Sequence, residues 1–418
     1  MKFLHCSDVH IDSPLRGLPR FEGVPAEEIR LAARGAFENL VALAVDEHVS
    51  VLIIAGDLYD GDRDDYNTAL FLQRQFEQLR EHDVPVIIAY GNHDAASEIT
   101  RRLRLPANVQ VFPHDHPDTI VLDSAGLALH GQSYATKAVT QDLSLAYPDA
   151  LPDVLNVGVL HTCLDGRPGH EPYAPCRVDA LVARGYAYWA LGHVHKRDYI
   201  EKAGTWIVFP GNLQGRHARE TGPKGAALVT YEVDEIAAVE PVVLDAVRWA
   251  RCEVDVTGAA DVDEVLAMAC QAVAGQTGAS GGHLTAVRIV LRGATEASGE
   301  LVRERDRCEA QLRADLAGSS GEVWLEKVEF HTSPPQAATE SADLSDALRY
   351  VRSVVATLSQ DQTAREELTG VLSPLLSRLG GDYTHLLELG IPDLTQAGLP
   401  DLLLEAERLL LAELGGEE

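Results

Sequence analysis

Five short segments of this 418-residue chain place carboxylate, imidazole or amide side chains where an apolar run ends. They are Asp8-Val9-His10, Gly56-Asp57-Leu58-Tyr59-Asp60, Gly91-Asn92-His93-Asp94, His161 and Gly192-His193-Val194-His195. Oxygen and imidazole donors without thiolates suit divalent ions such as Mn, Fe or Zn, and argue against a closed structural zinc site. Seven such groups exceed the needs of one ion. They match two ions that share a carboxylate, an arrangement that stabilises the attacking and leaving oxygens of phosphoester displacement with the metals ~3.5–4 Å apart. One residue separates Asp8 from His10 and His193 from His195, so extended backbone would turn both members of each pair to one side.

Each segment alone is weak, since a histidine can bond a carbonyl and Gly-Asn describes an ordinary turn. Their recurrence behind successive strand-like runs singles out a site. Residues 2–7, 51–55 and 84–89 read as strands, the last two as continuous β-branched runs buried on both faces. Ile29, Ala33, Phe37, Leu40, Val41 and Ala44 recur at helical spacing between the first two, and Leu70, Leu72, Phe76 and Leu79 between the next. A β-α-β-α-β start puts the polar groups outside the carboxyl ends of its strands, where open α/β sheets hold ligands. Further strands are predicted near residues 118–122, 126–130, 155–161, 187–191, 205–209 and 226–232.

The expected fold class is α/β, with a two-layer β-sandwich domain flanked by helices over residues 1–248. Residues 249–333 read as a small α+β domain: strand 252–256, helix 262–274, a Gly/Ser break, strand 284–291, helix 300–316 and strand 323–330. A linker over 334–342 contains Pro334-Pro335. Residues 343–418 are helix-forming and Leu-rich, with 5 basic and 14 acidic residues. Leu344, Leu348, Val351, Val355 and Leu358 form one apolar stripe, and Leu402, Leu403, Leu409, Leu410 and Leu414 another. Such stripes serve either the chain's own core or a partner's helix pair.

Thirty-five basic against 64 acidic residues give a net charge of −29, which excludes a polybasic protein gripping nucleic acid over its whole surface. Any phosphate-backbone contact must be local. Charge arrives by Asp8, no apolar run reaches the ~18 residues of a membrane span, and six scattered cysteines lack a CxxC pair. A cytoplasmic protein with reduced thiols and no membrane contact is expected.

The ordered series of segments resembles calcineurin-like metallophosphoesterases over about 250 residues. Within them, His5-Cys6-Ser7-Asp8-Val9-His10-Ile11-Asp12-Ser13-Pro14 and Phe209-Pro210-Gly211-Asn212-Leu213-Gln214-Gly215-Arg216-His217 resemble DNA repair exonucleases of the SbcD type, in particular the YhaO-like branch. This resemblance implies that Asp8, His10 and His195 hold one metal ion, that Asn92, His161 and His193 hold a second, and that Asp57 bridges both. It further implies attack by a hydroxide held between the ions, with His93 as acid or transition-state donor and Asp94 orienting it. Mn is the expected cofactor, with Fe, Mg and Zn as alternatives. Residues 249–333 would be a capping domain, and 343–418 would bind an SbcC-like or YhaN-like ATPase. Helices near 26–48 or 66–82 would pair two copies. Asp60 departs from the histidine that some archaeal and eukaryotic members have at that position, as bacterial relatives often do.

Arg216 and His217, with Arg219, follow Pro210-Gly211-Asn212 and are candidates to touch substrate phosphates; a solvated loop is the plainer alternative. Arg16 has the same two readings, and His114 and His116 read as exposed. Three functions follow: a two-metal DNA nuclease; a phosphodiesterase or phosphatase acting on a small nucleotide; or an interaction scaffold that has lost catalysis. Decay to a scaffold would have erased ligands, and all seven are present.

Overall fold

The computed structural model describes residues 1–13, 25–60, 66–96, 105–165, 173–232, 235–277, 283–320, 323–335, 346–379, 395 and 398–414. Arg16 and most of the linker lie outside them. Two compact units divide the chain: residues 1–13, 25–216 and 222–248 belong to the first, residues 217–221 and those from Trp249 onward to the second.

The first unit contains β1 (Lys2–Cys6), β2 (Leu52–Ala55), β3 (Val86–Ala89), β4 (Val109–Val111), β5 (Asp118–Leu122), β6 (Leu127–Gly131), β7 (Leu155–His161), β8 (Tyr188–Gly192), β9 (Asp198–Lys202), β10 (Thr205–Phe209), β11 (Gly225–Tyr231) and β12 (Ile236–Val243). Its helices are α1 (Ala26–Asp46), α2 (Tyr66–Glu81), α3 (Asn92–Ala96) and α4 (Val178–Val182). One six-stranded sheet has the order β12-β11-β1-β2-β3-β4 and the other β5-β6-β7-β8-β10-β9. Strands β1 to β4 run parallel, as do β6, β7, β8 and β10.

Alternation along the buried strands makes the layers. Leu4, Cys6, Leu52, Ile54, Val86 and Ile88 join Phe37, Leu40, Leu72 and Phe76 of α1 and α2 in one core. Phe3, Ile53, Ala55, Ile87 and Ala89 point the other way and meet Leu127, Leu129, Val157, Val159, Tyr188 and Val208 of the second sheet. Leu160, Trp189, Leu191 and Ile207 face outward under a third cluster that includes Leu181 of α4. Strands buried on both faces have no polar face to show, which is why they read as unbroken apolar runs.

Three strands differ from expectation. β4 is only three residues long, β9 (Asp-Tyr-Ile-Glu-Lys) is a partly exposed edge strand, and β12 is an edge strand carrying Pro241. An edge strand needs neither a continuous apolar run nor every backbone N–H, so composition hides it.

In the second unit β13 (Val247–Asp255), β14 (Leu284–Ala294) and β15 (Val323–Ser333) form one sheet, with α5 (Val262–Thr277), α6 (Ser298–Arg303) and α7 (Arg305–Ser320). Val254, Val287, Ile289, Leu325 and Phe330 pack against Val265, Ala269, Leu312 and Leu316 of α5 and α7. The single helix expected over 300–316 is two, broken at Glu304. The last helices are α8 (Asp346–Gln360), α9 (Gln362–Leu379) and α10 (Leu399–Leu414). Val355 and Leu358 of the first expected stripe meet Leu402 and Leu403 of the second, with Leu368, Leu372 and Leu399. These members of the two stripes pack on one another, while Leu410 of the second is exposed. Among the described residues no helix is long and apolar enough to cross a membrane.

Candidate metal centre

The strand-end residues do converge, by a route other than the expected one. Asp8 (φ 50°) and His10 (φ 46°) are left-handed, not extended, as are Asp57 (φ 52°) and His193 (φ 95°). Non-glycine residues held there carry backbone strain, a mark of functional sites. The first loop is laid along the second by hydrogen bonds from Asp8 N–H to Gly56 O, His10 N–H to Asp57 O and Ile11 N–H to Leu58 O, each 3.0 Å. Asp8 is fully buried; its carboxylate accepts from Ser7 Oγ at 2.6 Å and from His193 N–H at 3.0 Å, fixing the His193 loop to it.

Asp8, His10 and His195 each offer a ligand atom within 4.8 Å of the others, and so do Asp8, Asp57 and His161. His10 Nε2 lies 3.2 Å from His195 Nε2, and His195 Nε2 3.6 Å from Asp8 Oδ1. His161 Nδ1 donates to the Ala55 carbonyl at 3.0 Å, which aims Nε2 at Asn92 Oδ1 (3.0 Å) and Asp57 Oδ2 (3.3 Å). Asp57 Oδ2 also lies 3.9 Å from His10 Nε2, so this one oxygen stands between the two ligand groups. His193 packs its ring against that of His161, centroids 5.2 Å apart. Glycine is required for this closeness: a Cβ on Gly91 would sit 2.4 Å from Asp57 Oδ1, and one on Gly192 1.9 Å from Ala55 O.

The donor chemistry fits divalent cations. Two imidazole nitrogens meet head to head at His10 and His195, and one nitrogen of His161 faces two oxygen acceptors; a proton or a cation resolves each. Burial pushes His10 well below the ordinary histidine range, leaving the neutral form that ligates metal. Burial also opposes charge on His161, but Asp57 prevails and raises it to about 9. Asp57 in turn is held well below the carboxylate range, because His161, His93 and His10 outweigh its own burial.

The surroundings of His93 differ from the expected ones. Its Nδ1 lies 2.8 Å from Asp60 Oδ1, and its backbone N–H donates to Asp57 Oδ1 at 2.9 Å. Asp94, expected to orient it, instead accepts from the backbone N–H of Tyr59 (2.9 Å) and Gly91 (3.0 Å), tying the second ligand loop to the third. At the start of α3, Asp94 is drawn to these amides; Asp60, three residues beyond Asp57, reaches the ring. Burial and the Asp57 charge raise Asp94 to about 6. His93 sits above the usual histidine value, since Asp60 and Asp57 overcome its burial. His10, Asp60 and His93 make a third potential ligand group.

Arg216 stands at this cluster, with Nη1 3.3 Å from Asp60 Oδ2 and Nη2 3.4 Å from His195 Nδ1. His217 belongs to the second unit, where its Nε2 lies 3.8 Å from Glu220. His114 and His116 are exposed, and all six cysteines are free thiols. Sequence reading missed a latch behind the first loop: Asp12, also left-handed, accepts from Arg34 of α1 (Nε at 2.7 Å) and from Thr68 of α2. Neither residue carries a local signal, since both are ordinary polar positions on helices.

The calcineurin-like phosphoesterase family matches residues 1–197, and the middle domain of the metallophosphoesterase YhaO matches residues 249–333. The chain is 33% identical over 271 residues to the uncharacterized metallophosphoesterase YhaO of Bacillus subtilis, covering 64% of this chain and 66% of that one. It is 27% identical over 284 residues to the DNA double-strand break repair protein Mre11 of Methanopyrus kandleri, covering 60% and 58%. It thus spans just under two thirds, or less, of these relatives. A dimetal phosphatase from Danio rerio overlaps 58% of this chain and 97% of its own, at TM-score 0.35 and 12% identity. A strand-end donor set suited to divalent ions and two consecutive family matches lead to one assignment: residues 1–197 form a calcineurin-like phosphoesterase domain, and residues 249–333 a YhaO-type middle domain.

Proposed function

We propose that the chain is a two-metal-dependent DNA nuclease that hydrolyses phosphodiester bonds, with Mn as its metal. It would work with an SbcC-like or YhaN-like ATPase through its C-terminal helices. The observation that carries this reading is the convergence of Asp8, His10, Asp57, Asn92, His161, His193 and His195 from strand ends of both sheets, with Asp57 Oδ2 between His10 and His161. Likeness to a double-strand break repair protein favours DNA as the substrate.

Two divalent ions held by these residues would supply Lewis acidity and activate water for attack on phosphorus. The chain's own part is positioning and proton handling. His161 is locked to one tautomer by Ala55 O, and Asp8 is held by Ser7 and His193 N–H. His93, raised by Asp60 and one-third exposed, holds its proton more firmly than a free imidazole and can give it to a departing oxygen.

End-labelled duplex and single-stranded DNA, incubated with the purified protein and Mn, should be degraded. Mg should serve less well, EDTA should stop the reaction, and Asp57→Asn and His93→Ala should abolish it. Intact DNA with the ATPase added, beside active hydrolysis of small diesters, would overturn the nuclease reading. It would favour the small-nucleotide phosphodiesterase, the reading to which the net charge of −29 is friendlier. A fully metal-loaded protein that hydrolyses no phosphodiester would point to the scaffold.

A further inference from the structure

One guanidinium reaches the metal centre from a loop that carries no candidate ligand. Residues 210–216 follow β10, and their backbone is bonded to two of the ligand segments. Asn212 N–H donates to the His195 carbonyl at 3.3 Å, and Leu213 N–H to the Asp8 carbonyl at 3.4 Å. Gly211 (φ 81°) makes the close pass, since a Cβ there would lie 2.9 Å from His195 O. Gln214, itself buried, fixes the far side of the loop: its Oε1 accepts from Ala246 N–H at 2.8 Å, and its carbonyl accepts from Asn212 Nδ2 at 2.8 Å. The position of Arg216 is thus set before any substrate arrives, as electrostatic stabilisation of a transition state requires.

The Arg216 side chain completes a ring of groups around His10. The imidazole of His10 lies edge-on to that of His93, with centroids 4.9 Å apart, and to that of His195, at 5.1 Å. Arg216 Nη2 approaches His195 Nδ1 at 3.4 Å, and Nη1 lies 3.3 Å from Asp60 Oδ2. The other oxygen of Asp60 is 2.8 Å from His93 Nδ1, so one carboxylate carries both the candidate acid and a fixed positive charge. Exposure gives the site a direction. Asp8, His10, Asp57 and His161 are buried, whereas the Arg216 and His195 side chains are each 22% exposed and that of His93 34%. A phosphodiester coming from solvent meets these three side chains on its way to the ligands. The planar fork of a guanidinium matches phosphate oxygens, and here it stands open to them.

We propose that Arg216 is a catalytic residue whose guanidinium binds a non-bridging oxygen of the phosphate under attack. It stabilises the charge gathered there while the oxygen of water bonds to phosphorus and the leaving oxygen departs with a proton. The inference rests on phosphodiester hydrolysis at the proposed two-metal centre, and it needs neither DNA nor a second phosphate.

The test uses the full chain loaded with Mn, on bis-p-nitrophenyl phosphate and on an oligonucleotide, each variant at its own pH optimum. Arg216→Gln should lower kcat about 100-fold on both substrates, the usual cost of removing one donor to a transition-state oxygen, with Mn affinity from calorimetry unaltered within about twofold. Arg216→Lys, which keeps a charge without the fork, should fall between Arg216→Gln and wild type. Lys202→Gln, on β9 and paired with Asp179, should change neither quantity. An unaltered kcat in Arg216→Gln overturns the proposal. So does Mn affinity that falls in step with kcat, which would make Arg216 a support for His195 or Asp60, and so does a loss confined to the oligonucleotide, which marks a flanking phosphate. Orthovanadate, which adopts the trigonal-bipyramidal shape of the transition state, supplies a readout without turnover: its binding to the Mn-loaded protein should weaken about tenfold or more in Arg216→Gln. Equal vanadate affinities overturn the proposal even in a protein that hydrolyses nothing. A wild type that hydrolyses the small diester and leaves the oligonucleotide whole refutes the nuclease reading alone, because the diester still reads Arg216. A wild type that neither hydrolyses the diester nor binds vanadate overturns the proposal together with the centre it rests on.

Discussion

Asp60→Asn separates the observed partner of His93 from the expected one. Asp60 Oδ1 lies 2.8 Å from His93 Nδ1, on a carboxylate whose side chain is 13% exposed against 34% for the histidine. A hydrogen bond to a charged group contributes about 1.5–3 kcal/mol and a neutral one about 0.5–1.5, so the exchange costs the imidazolium on the order of 1 kcal/mol. With 1.36 kcal/mol per pKa unit, and screening by water over the open third of the ring, the His93 pKa should fall by roughly half a unit to one unit. The direction is fixed by the sign: Asp60 raises His93, so its removal favours the neutral ring and depletes the acid as pH rises. The alkaline limb of kcat/KM should therefore move to lower pH by that amount. The shift should be plainer on a dinucleotide than on bis-p-nitrophenyl phosphate, whose p-nitrophenolate leaves without a proton. Asp94→Asn should instead leave the limb in place and lower stability by about 1–3 kcal/mol, because one amide acceptor for Tyr59 and Gly91 N–H is lost. A limb unmoved in Asp60→Asn, or moved in Asp94→Asn, would refute the assignment of Asp60 as the positioning residue.

Metal binding should release protons, since His161, raised to about 9 in the metal-free protein, must lose one to ligate. Calorimetry in buffers of different ionisation enthalpy should read about one proton per chain near pH 7.5, with Mn affinity rising with pH up to that value of 9; no release would contradict it. For the metal-free fold, the same raised pKa stabilises fully below about pH 6.5, and the gain disappears as pH climbs through 9, which urea titrations across that window can follow. Gly192→Ala should cost at least about 2–3 kcal/mol and most metal occupancy, because its Cβ meets Ala55 O and His161 Nδ1; Gly318→Ala, an open helical position, should instead gain up to about 1 kcal/mol in the same thermal melts. In the second unit Arg288, 5% exposed and bonded to both Glu326 and Glu329, should cost about 1–3 kcal/mol when replaced by Met, and a neutral result would show that its ion pairs contribute nothing net.

The chemistry of the site was open to reading from the chain alone, as were the elements that carry it. Ligand type is a property of side chains, and the runs that precede Asp57, Asn92 and His193 are buried on both faces, so their apolar character is unbroken and local. The helices α1 and α2 and the α5, β14 and β15 elements announced themselves in the same way, through periodicity that one buried face imposes. Edge strands β4, β9 and β12 did not, because half-solvated backbone accepts polar residues and Pro241 alike.

Only the tertiary structure decided who touches whom. Asp60 and Asp94 lie three and 37 residues from Asp57 with the same side chain, and nothing in their types says which one reaches His93. That choice is made by a left-handed Asp57, which turns the second loop toward the ring, and by the Tyr59 and Gly91 amides, which claim Asp94. The Asp12 latch to Arg34 and Thr68 and the approach of Arg216 and Lys224 to His195 likewise join residues from 21 to 56 positions apart. Residue type is carried by the chain locally, whereas pairing depends on strand order and on loop conformations that become favourable only once the sheets have brought those loops together.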